Sequence, residues 1–317
     1  MGKFKYIWWD VKLMNAKNKL LITGASGFTG YHACEYFSKL ELDIIAVTKK
    51  RNFCYKKVKT KQCDLFNKKG IKDLIKQIKP DYVLHLAGQN AVGRSWEDPL
   101  ESLEVNAMGT AYLIEALRQE APACKTVIVS STLQFNPTST STFNHPYGLS
   151  KTIQSIFSQF WAKLYDMHIV IARPSNLIGP GLSTGVCSIF AQRIVNMERE
   201  KEEKFLNVSN LNNRLDFLDV RDAVRAYDFL LKKGKSGDIY DVSSGKSHSL
   251  EEIINIFGKT TDIPFQTKLD NQSAIVNHVD LHPLSLIELG WQPIIPLETT
   301  IKDIVDFYRQ QGDDLNN

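Results

Sequence analysis

Five short apolar runs constrain the fold more than any motif does. "KLLIT" (19–23), "DIIAVT" (43–48), "DYVLHLAG" (81–88), "KTVIVSS" (125–131) and "HIVIARP" (168–174) read as near-continuous hydrophobic strands. A strand apolar on both faces must be covered on both faces, the condition of a parallel sheet. Helical stretches separate the runs, through Tyr36 and Leu40, at 70–79, at about 99–119 and from near Tyr147 onward. Strand–helix alternation of this kind predicts an α/β architecture, a doubly wound parallel sheet.

After Pro174 the pattern loosens. "SNLIGPGLSTG" is loop-like, "FAQRIVNMEREKEEK" is a charged helix, and "RLDFLDVRDAVRAYDFLLKKG" with "DIYDVSSG" reads as strand, helix and strand. Residues 296–311 are amphipathic at helical spacing. With no repeat or long linker, two lobes interleaved in sequence are expected. An N-terminal extension covers 1–17. The sheet domain covers 18–174 and is completed by about 215–245, and a smaller α/β lobe is built from 175–214 and 246–317.

Composition excludes several classes. The 317 residues are 43% hydrophobic and 23% charged, with a net charge of +4. No apolar run reaches the roughly 18 residues of a membrane span, and "YIWW" near the start is too short for a signal peptide's apolar region. Tyr6 stands where myristoylation needs Ser or Thr. Five scattered cysteines without a C-x-x-C pair give neither a disulfide framework nor a metal site and fit a reducing cytoplasm. The lysine-rich stretch from Lys49 to Lys69 reads as a solvated face, not a nucleic-acid footprint.

The first run ends in "TGASGFTG", with Gly24, Gly27 and Gly30 where strand gives way to helix. Glycines there allow a tight turn and close backbone approach to a pyrophosphate, whose charge suits a helix N-terminus. Ser26, Phe28 and Thr29 share that loop. At the end of the second strand, where NAD binders carry an acid for the ribose, "TKKR" offers Lys49, Lys50 and Arg51 instead. Cations suit a 2′-phosphate, so NADP(H) is the expected cofactor, with NAD(H) possible.

The fourth run ends at Ser130, Ser131 and Thr132, and the next helix carries Tyr147 and Lys151 on one face. A phenol with an ordinary pKa near 10 keeps its proton at neutral pH. A neighbouring ammonium would favour the phenolate and bring the group nearer its working range.

Glycine loop, strand-end serine and Tyr-x-x-x-Lys together resemble the extended short-chain dehydrogenase/reductases that act on nucleotide sugars. "HLAGQNAVGRSWEDP" (85–99), "EVNAMGT" (104–110), "RPSNLIGPG" (173–181), "RLDFLDVRDAVRAY" (214–227) and "ELGWQP" (288–293) extend the likeness from about Lys19 to Arg309. They are most similar to the GDP-4-keto-6-deoxy-mannose reductase group. The resemblance implies a Rossmann domain in which Tyr147 donates a proton, Lys151 tunes it, and Ser131 holds the sugar oxygen. It places Asp64, Leu65, Ala87 and Gly88 beside the cofactor, and Asn106 in support of the active site. Thr132, Asn176, Arg214 and Arg94 would face the nucleotide-diphosphate sugar. On residue chemistry alone, Arg214 could instead pair with Asp216 or Asp219, Arg94 could be a surface residue, and His85 reads as a buried strand residue. A homodimer through helices flanking the Tyr/Lys segment is also implied, although "IFSQFWAKLY" (156–165) suits a core equally well.

Related enzymes reduce, epimerise or dehydrate. Dehydratases of this branch carry Glu two positions after the catalytic Ser or Thr, where this chain has Leu133. Phe135 and Asn136 replace the usual Tyr-Gly, which leaves the sugar open. Reduction is the expected reaction, epimerisation the alternative, and NADP(H) sensing without turnover a third reading that the retained Tyr147 and Lys151 disfavour. If Arg51 reads a 2′-phosphate, Arg51→Ala weakens NADPH binding far more than NADH binding in a titration; equal weakening of both removes that role.

Overall fold

In the computed structural model, described for residues 17–49, 53–138, 144–208, 210–269 and 281–313, the chain begins with β1 (Lys19–Thr23), α1 (Phe28–Phe37), β2 (Asp43–Thr48) and β3 (Lys59–Gln62). It continues through α2 (Lys68–Ile78), β4 (Tyr82–His85), α3 (Val92–Glu97), α4 (Pro99–Leu103), a π-helical turn (Glu104–Met108) and α5 (Gly109–Glu120). Then come β5 (Lys125–Val129), α6 (Pro146–Leu164), β6 (Ile169–Pro174), β7 (Asn176–Ile178), α7 (Val186–Glu198) and β8 (Phe205–Val208). The last third holds β9 (Arg214–Asp219), α8 (Val220–Lys233), β10 (Ile239–Val242), β11 (Ser247–Ser249), α9 (Leu250–Gly258), β12 (Gln266–Leu269), α10 (Leu284–Glu288) and α11 (Leu297–Asp313).

Seven strands form one parallel sheet in the order β10-β6-β5-β4-β1-β2-β3. The order reverses between β1 and β4, and in open sheets of this kind ligands bind outside the strand carboxyl ends at that switch point. Both faces are covered as the apolar runs require. Leu20, Ile22, Leu84 and Val127 pack on one side with Phe37 of α1 and Tyr227 of α8. Leu21, Val83 and Ile128 pack on the other with Ile71 and Ile75 of α2 and Leu113 and Leu117 of α5. A separate cluster joins Phe190 and Ile194 of α7, Phe257 of α9 and Ile304 of α11.

The loop-like "SNLIGPGLSTG" contains a strand, β7, paired with β9, and two further stretches add detail to the sequence expectation. Part of the lysine-rich stretch is an edge strand: β3 pairs with β2, and its side chains are solvent-facing or half-buried. An edge strand needs no apolar run because one side and both faces meet water, and lysines there discourage pairing with other chains. Helical backbone runs without interruption over the stretch expected at about 99–119, as α4, a π turn and α5, and the π turn, which the sequence does not announce, holds Asn106.

The smaller lobe is tied to the sheet by the three aspartates of "RLDFLDVRD". Buried Asp216 accepts from the Ser175 hydroxyl at 2.5 Å and from the backbone N–H groups of Ser244, Gly245 and Lys246. Asp219 accepts from Thr300 Oγ1 at 2.7 Å and pairs with Arg221. Asp222 accepts from the Ile294 and Ile295 N–H groups, both at 2.9 Å. Buried carboxylates are tolerated only when paired and hydrogen-bonded in this way, so one nine-residue segment fixes loops distant in sequence.

Candidate active site

A cleft of about 940 Å³ runs across the carboxyl ends of the strands, from β3 past the switch point to β5 and β6. At one end lies the glycine loop. Gly24 has φ +68, and a Cβ on it would stand 2.6 Å from the Ala87 nitrogen; a Cβ on Gly30 would meet the Gly24 carbonyl at 2.2 Å. The loop therefore lies directly against the β4 end and against its own helix. Gly27 caps α1 without a side-chain hydrogen bond, which presents the first N–H groups of the helix as an anion site. Ser26, Phe28, Thr29, Leu65, Ala87 and Gly88 line the same cleft.

Under the β2 and β3 ends, Lys49 and Asp64 also line the cleft, with Nζ 3.2 Å from the carboxylate and 5.3 Å from the centre of the Phe66 ring. Lys49 is thus a cation with a partner. Arg51 lies outside the described residues.

Tyr147 and Lys151 enter the cleft from the first turns of α6. His145 caps that helix by accepting the Gly148 N–H on Nδ1, and Pro146 occupies its first turn, where a missing N–H costs nothing. Tyr147 is 5% exposed, Ser131 7% and Lys151 5%. Lys151 Nζ donates to the Val129 carbonyl and to Gln154 Oε1, both at 3.0 Å. Burial pushes its ammonium down to about 7 from the ordinary 10.5. Tyr147 departs from the sequence expectation. Burial raises its phenol, with the Ser131 hydroxyl pulling the other way, where the spacing predicts a lowering by the neighbouring ammonium. Desolvation acts on both partners, and the bonds just described turn the ammonium toward Val129 and Gln154.

Asn106 is fully buried and bridges the end of β4 to α6. It accepts the Gln89 N–H, donates to the Gln89 carbonyl and donates to Ser150 Oγ, at 2.8, 2.9 and 2.9 Å. Thr132 and Asn176 line the cleft, and Asn176 Nδ2 donates to the Asp216 carbonyl. Two residues expected to face the substrate lie off the cleft. Arg94 is forked onto Glu101 on the surface and Arg214 onto Glu252 and the Ser247 carbonyl, and neither lines the cleft. The Arg214 partner is Glu252, not Asp216 or Asp219, because those two carboxylates are spent on loop backbone and Thr300. His85 is indeed a buried strand residue, its ring held between Thr23 and Thr110.

Sequence reasoning missed Gln154 and Gln89. Gln154 carries no motif and shows its role only through its bond to Lys151. Gln89 lines the cleft, and its backbone is what Asn106 holds.

Residues 20–243 match the model of the NAD dependent epimerase/dehydratase family. The chain belongs to that family. It is therefore an oxidoreductase of the extended short-chain dehydrogenase/reductase type. GDP-6-deoxy-D-mannose reductase from Pseudomonas aeruginosa is 26% identical over 306 residues, covering 90% of this chain and 96% of its own length. The dTDP-D-glucose 4,6-dehydratase of Homo sapiens is 26% identical over 329 residues, covering 92% and 90%. The solved structure of RMD from Pseudomonas aeruginosa complexed with NADPH superimposes with a TM-score of 0.81 at 26% identity, covering 93% of this chain and 99% of that one. The cleft fits a dinucleotide: glycines where side chains would collide, an uncapped helix N-terminus and a length spanning several strand ends.

The lysine makes stability depend on pH. Its pKa is lower folded than unfolded, so between about 7 and 10.5 the unfolded chain binds more protons and stability rises with pH. Lys151→Met should therefore be more stable than the parent at pH 6, by roughly 2–4 kcal/mol. Denaturant unfolding across pH should show that difference shrinking toward pH 10; parallel curves would contradict the burial of a titrating ammonium.

Proposed function

We propose that the protein reduces the C4 ketone of a nucleotide-diphosphate-4-keto-6-deoxyhexose with NADPH. The observation that carries this reading is the inventory of proton-moving groups on the cleft wall. Among the described residues, Asp64 is the only carboxylate there, and it lies under β3, four strand positions from β5. At about 4.8 Å per strand, that is close to 20 Å from the tyrosine end. Removal of water across C5 and C6 needs a second acid–base pair beside the first, and Leu133 stands where it would be. Ketone reduction needs one proton donor only.

When bound, NADPH supplies the hydride that becomes the C4 hydrogen. Tyr147 gives its phenolic proton to the carbonyl oxygen, and the Ser131 hydroxyl donates to the same oxygen. Lys151 offsets the charge left on the phenolate. A phenol whose own pKa burial holds high keeps its proton at neutral pH, the form that a reductase starts from. Epimerisation uses the same pair. The basic "TKKR" favours NADP(H) over the NAD in the family's description, and the likeness to an NADPH-bound structure points the same way. The sugar nucleotide would carry GDP or UDP.

The protein also acts, in this reading, as a homodimer through α6. Leu149, Ile153, Ile156, Phe160 and Leu164 form an exposed apolar stripe along it, while Phe157 and Trp161 pack inward. Spacings of three and four residues keep the stripe on one face. The aromatic segment thus serves core and surface at once.

Tyr147→Phe should bind NADPH within about threefold of the parent and lose about 100-fold or more in kcat with a 4-keto-6-deoxy sugar nucleotide; a fully active variant would sink the assignment. Sedimentation equilibrium should give twice the chain mass for the parent and one chain for Phe160→Asp; a monomeric parent excludes the dimer.

A further inference from the structure

A closed chain of buried polar groups runs beneath the tyrosine–lysine pair, and its hydrogens can be placed by elimination. Thr110 Oγ1 lies 2.6 Å from the Asn106 carbonyl, which can only accept, so the one hydroxyl hydrogen of Thr110 is spent there. Thr110 must then accept from its two other neighbours, His85 Nε2 and the Gln154 amide, both at 2.8 Å. His85 therefore carries a hydrogen on Nε2, and in the neutral ring that burial favours its Nδ1 accepts from Thr23 Oγ1 at 2.7 Å. Burial, which pushes the imidazole down to about 3, agrees.

The same elimination fixes the sense of Gln154. Its Nε2 must face Thr110, so its Oε1 faces Lys151 Nζ at 3.0 Å. The reversed amide would set an acceptor against an oxygen with no hydrogen left to give, and an NH₂ group against an ammonium. Both contacts are repulsive inside a fully buried network.

We propose that Gln154 is a positioning residue for Lys151: its carbonyl oxygen, locked by Thr110, stabilises the charged form of the amine and leaves one of the ammonium's three N–H bonds directed to the cleft. The other two N–H bonds are those taken by Val129 and Gln154. Fixing two donors of a tetrahedral nitrogen fixes the third. The titratable groups facing Lys151 are Tyr147 on its own helix and His85 on β4. From the other elements packed around it, β5 is followed by Ser130 and Ser131, α5 offers Thr110, and the π turn directs Glu104 to solvent. None of these is an anion at the ammonium, so the neutral Gln154 oxygen and the Val129 carbonyl carry the whole task of stabilising it.

The role of Lys151 rests on the reductase reading, so the first readout is independent of turnover. In protein labelled with ¹³C-lysine, the Lys151 side-chain signal, assigned by its loss in Lys151→Met, is followed against pH. Gln154→Leu should lower its midpoint by about one to two pH units, the worth of a hydrogen bond to a charged group. Thr110→Val, which unlocks the amide, should lower it by less, and Thr110→Ser should leave it in place. Circular dichroism and NADPH affinity report whether each variant is folded. If the parent reduces a keto sugar, the alkaline limb of its kcat profile should move down with the midpoint. An unchanged midpoint in folded Gln154→Leu overturns the proposal. A moved midpoint in a protein that reduces no keto sugar upholds it and overturns the reductase reading instead.

Discussion

A lysine ammonium at 5% exposure is the constraint around which the active end of this protein is arranged. Taking such a charge out of water is costly, and fixed dipoles in place of solvent offset only part of the cost. Two of them are hydrogen-bonded directly, the Val129 carbonyl at the end of β5 and the Gln154 amide one turn along α6. Behind these stand Thr110, Asn106 and His85, each on a different element. The π turn, the central strands and α6 are held in register by the groups that solvate one nitrogen.

That arrangement sits at the switch point of the sheet, where the glycine loop of β1 approaches the end of β4. The contact is close enough that Gly24 admits no Cβ against Ala87, and the hydroxyl of Thr23 at the same strand end reaches both His85 and the Ala87 N–H. The glycine-loop end and the tyrosine–lysine end are thereby joined through buried hydrogen bonds. The smaller lobe is pinned by Asp216, Asp219 and Asp222, so the cleft wall contributed by Asn176 and Phe217 is set by the same segment that feeds α8.

Much of this is legible in the sequence because it depends on local rules. Apolar runs covered on both faces mark β1, β2, β5 and β6, and glycines at a strand end mark the loop. Less legible is whatever depends on partners remote in the chain. β3 is lysine-rich because an edge strand faces water, so no hydrophobic signal announces it. Arg94 and Arg214 have the right chemistry for phosphate, but Glu101 and Glu252 claim their guanidinium groups, and 38 residues separate the second pair. Gln154 shows the converse: an unremarked residue acquires a role because Thr110, 44 positions away, fixes which end of its amide meets Lys151. Burial, which raises the Tyr147 phenol, is likewise invisible in a spacing that reveals only its lysine neighbour.

The most direct test of the central claim is the balance between cofactor and sugar. Protein freed of small molecules would be given NADPH and a 4-keto-6-deoxy sugar nucleotide generated in situ, GDP-linked or UDP-linked, while absorbance of the reduced nicotinamide and product are followed together. The account predicts one NADPH oxidised per sugar reduced with one of the two. No net oxidation with either, alongside NAD that stays with the protein through purification, would contradict it and make the protein an epimerase.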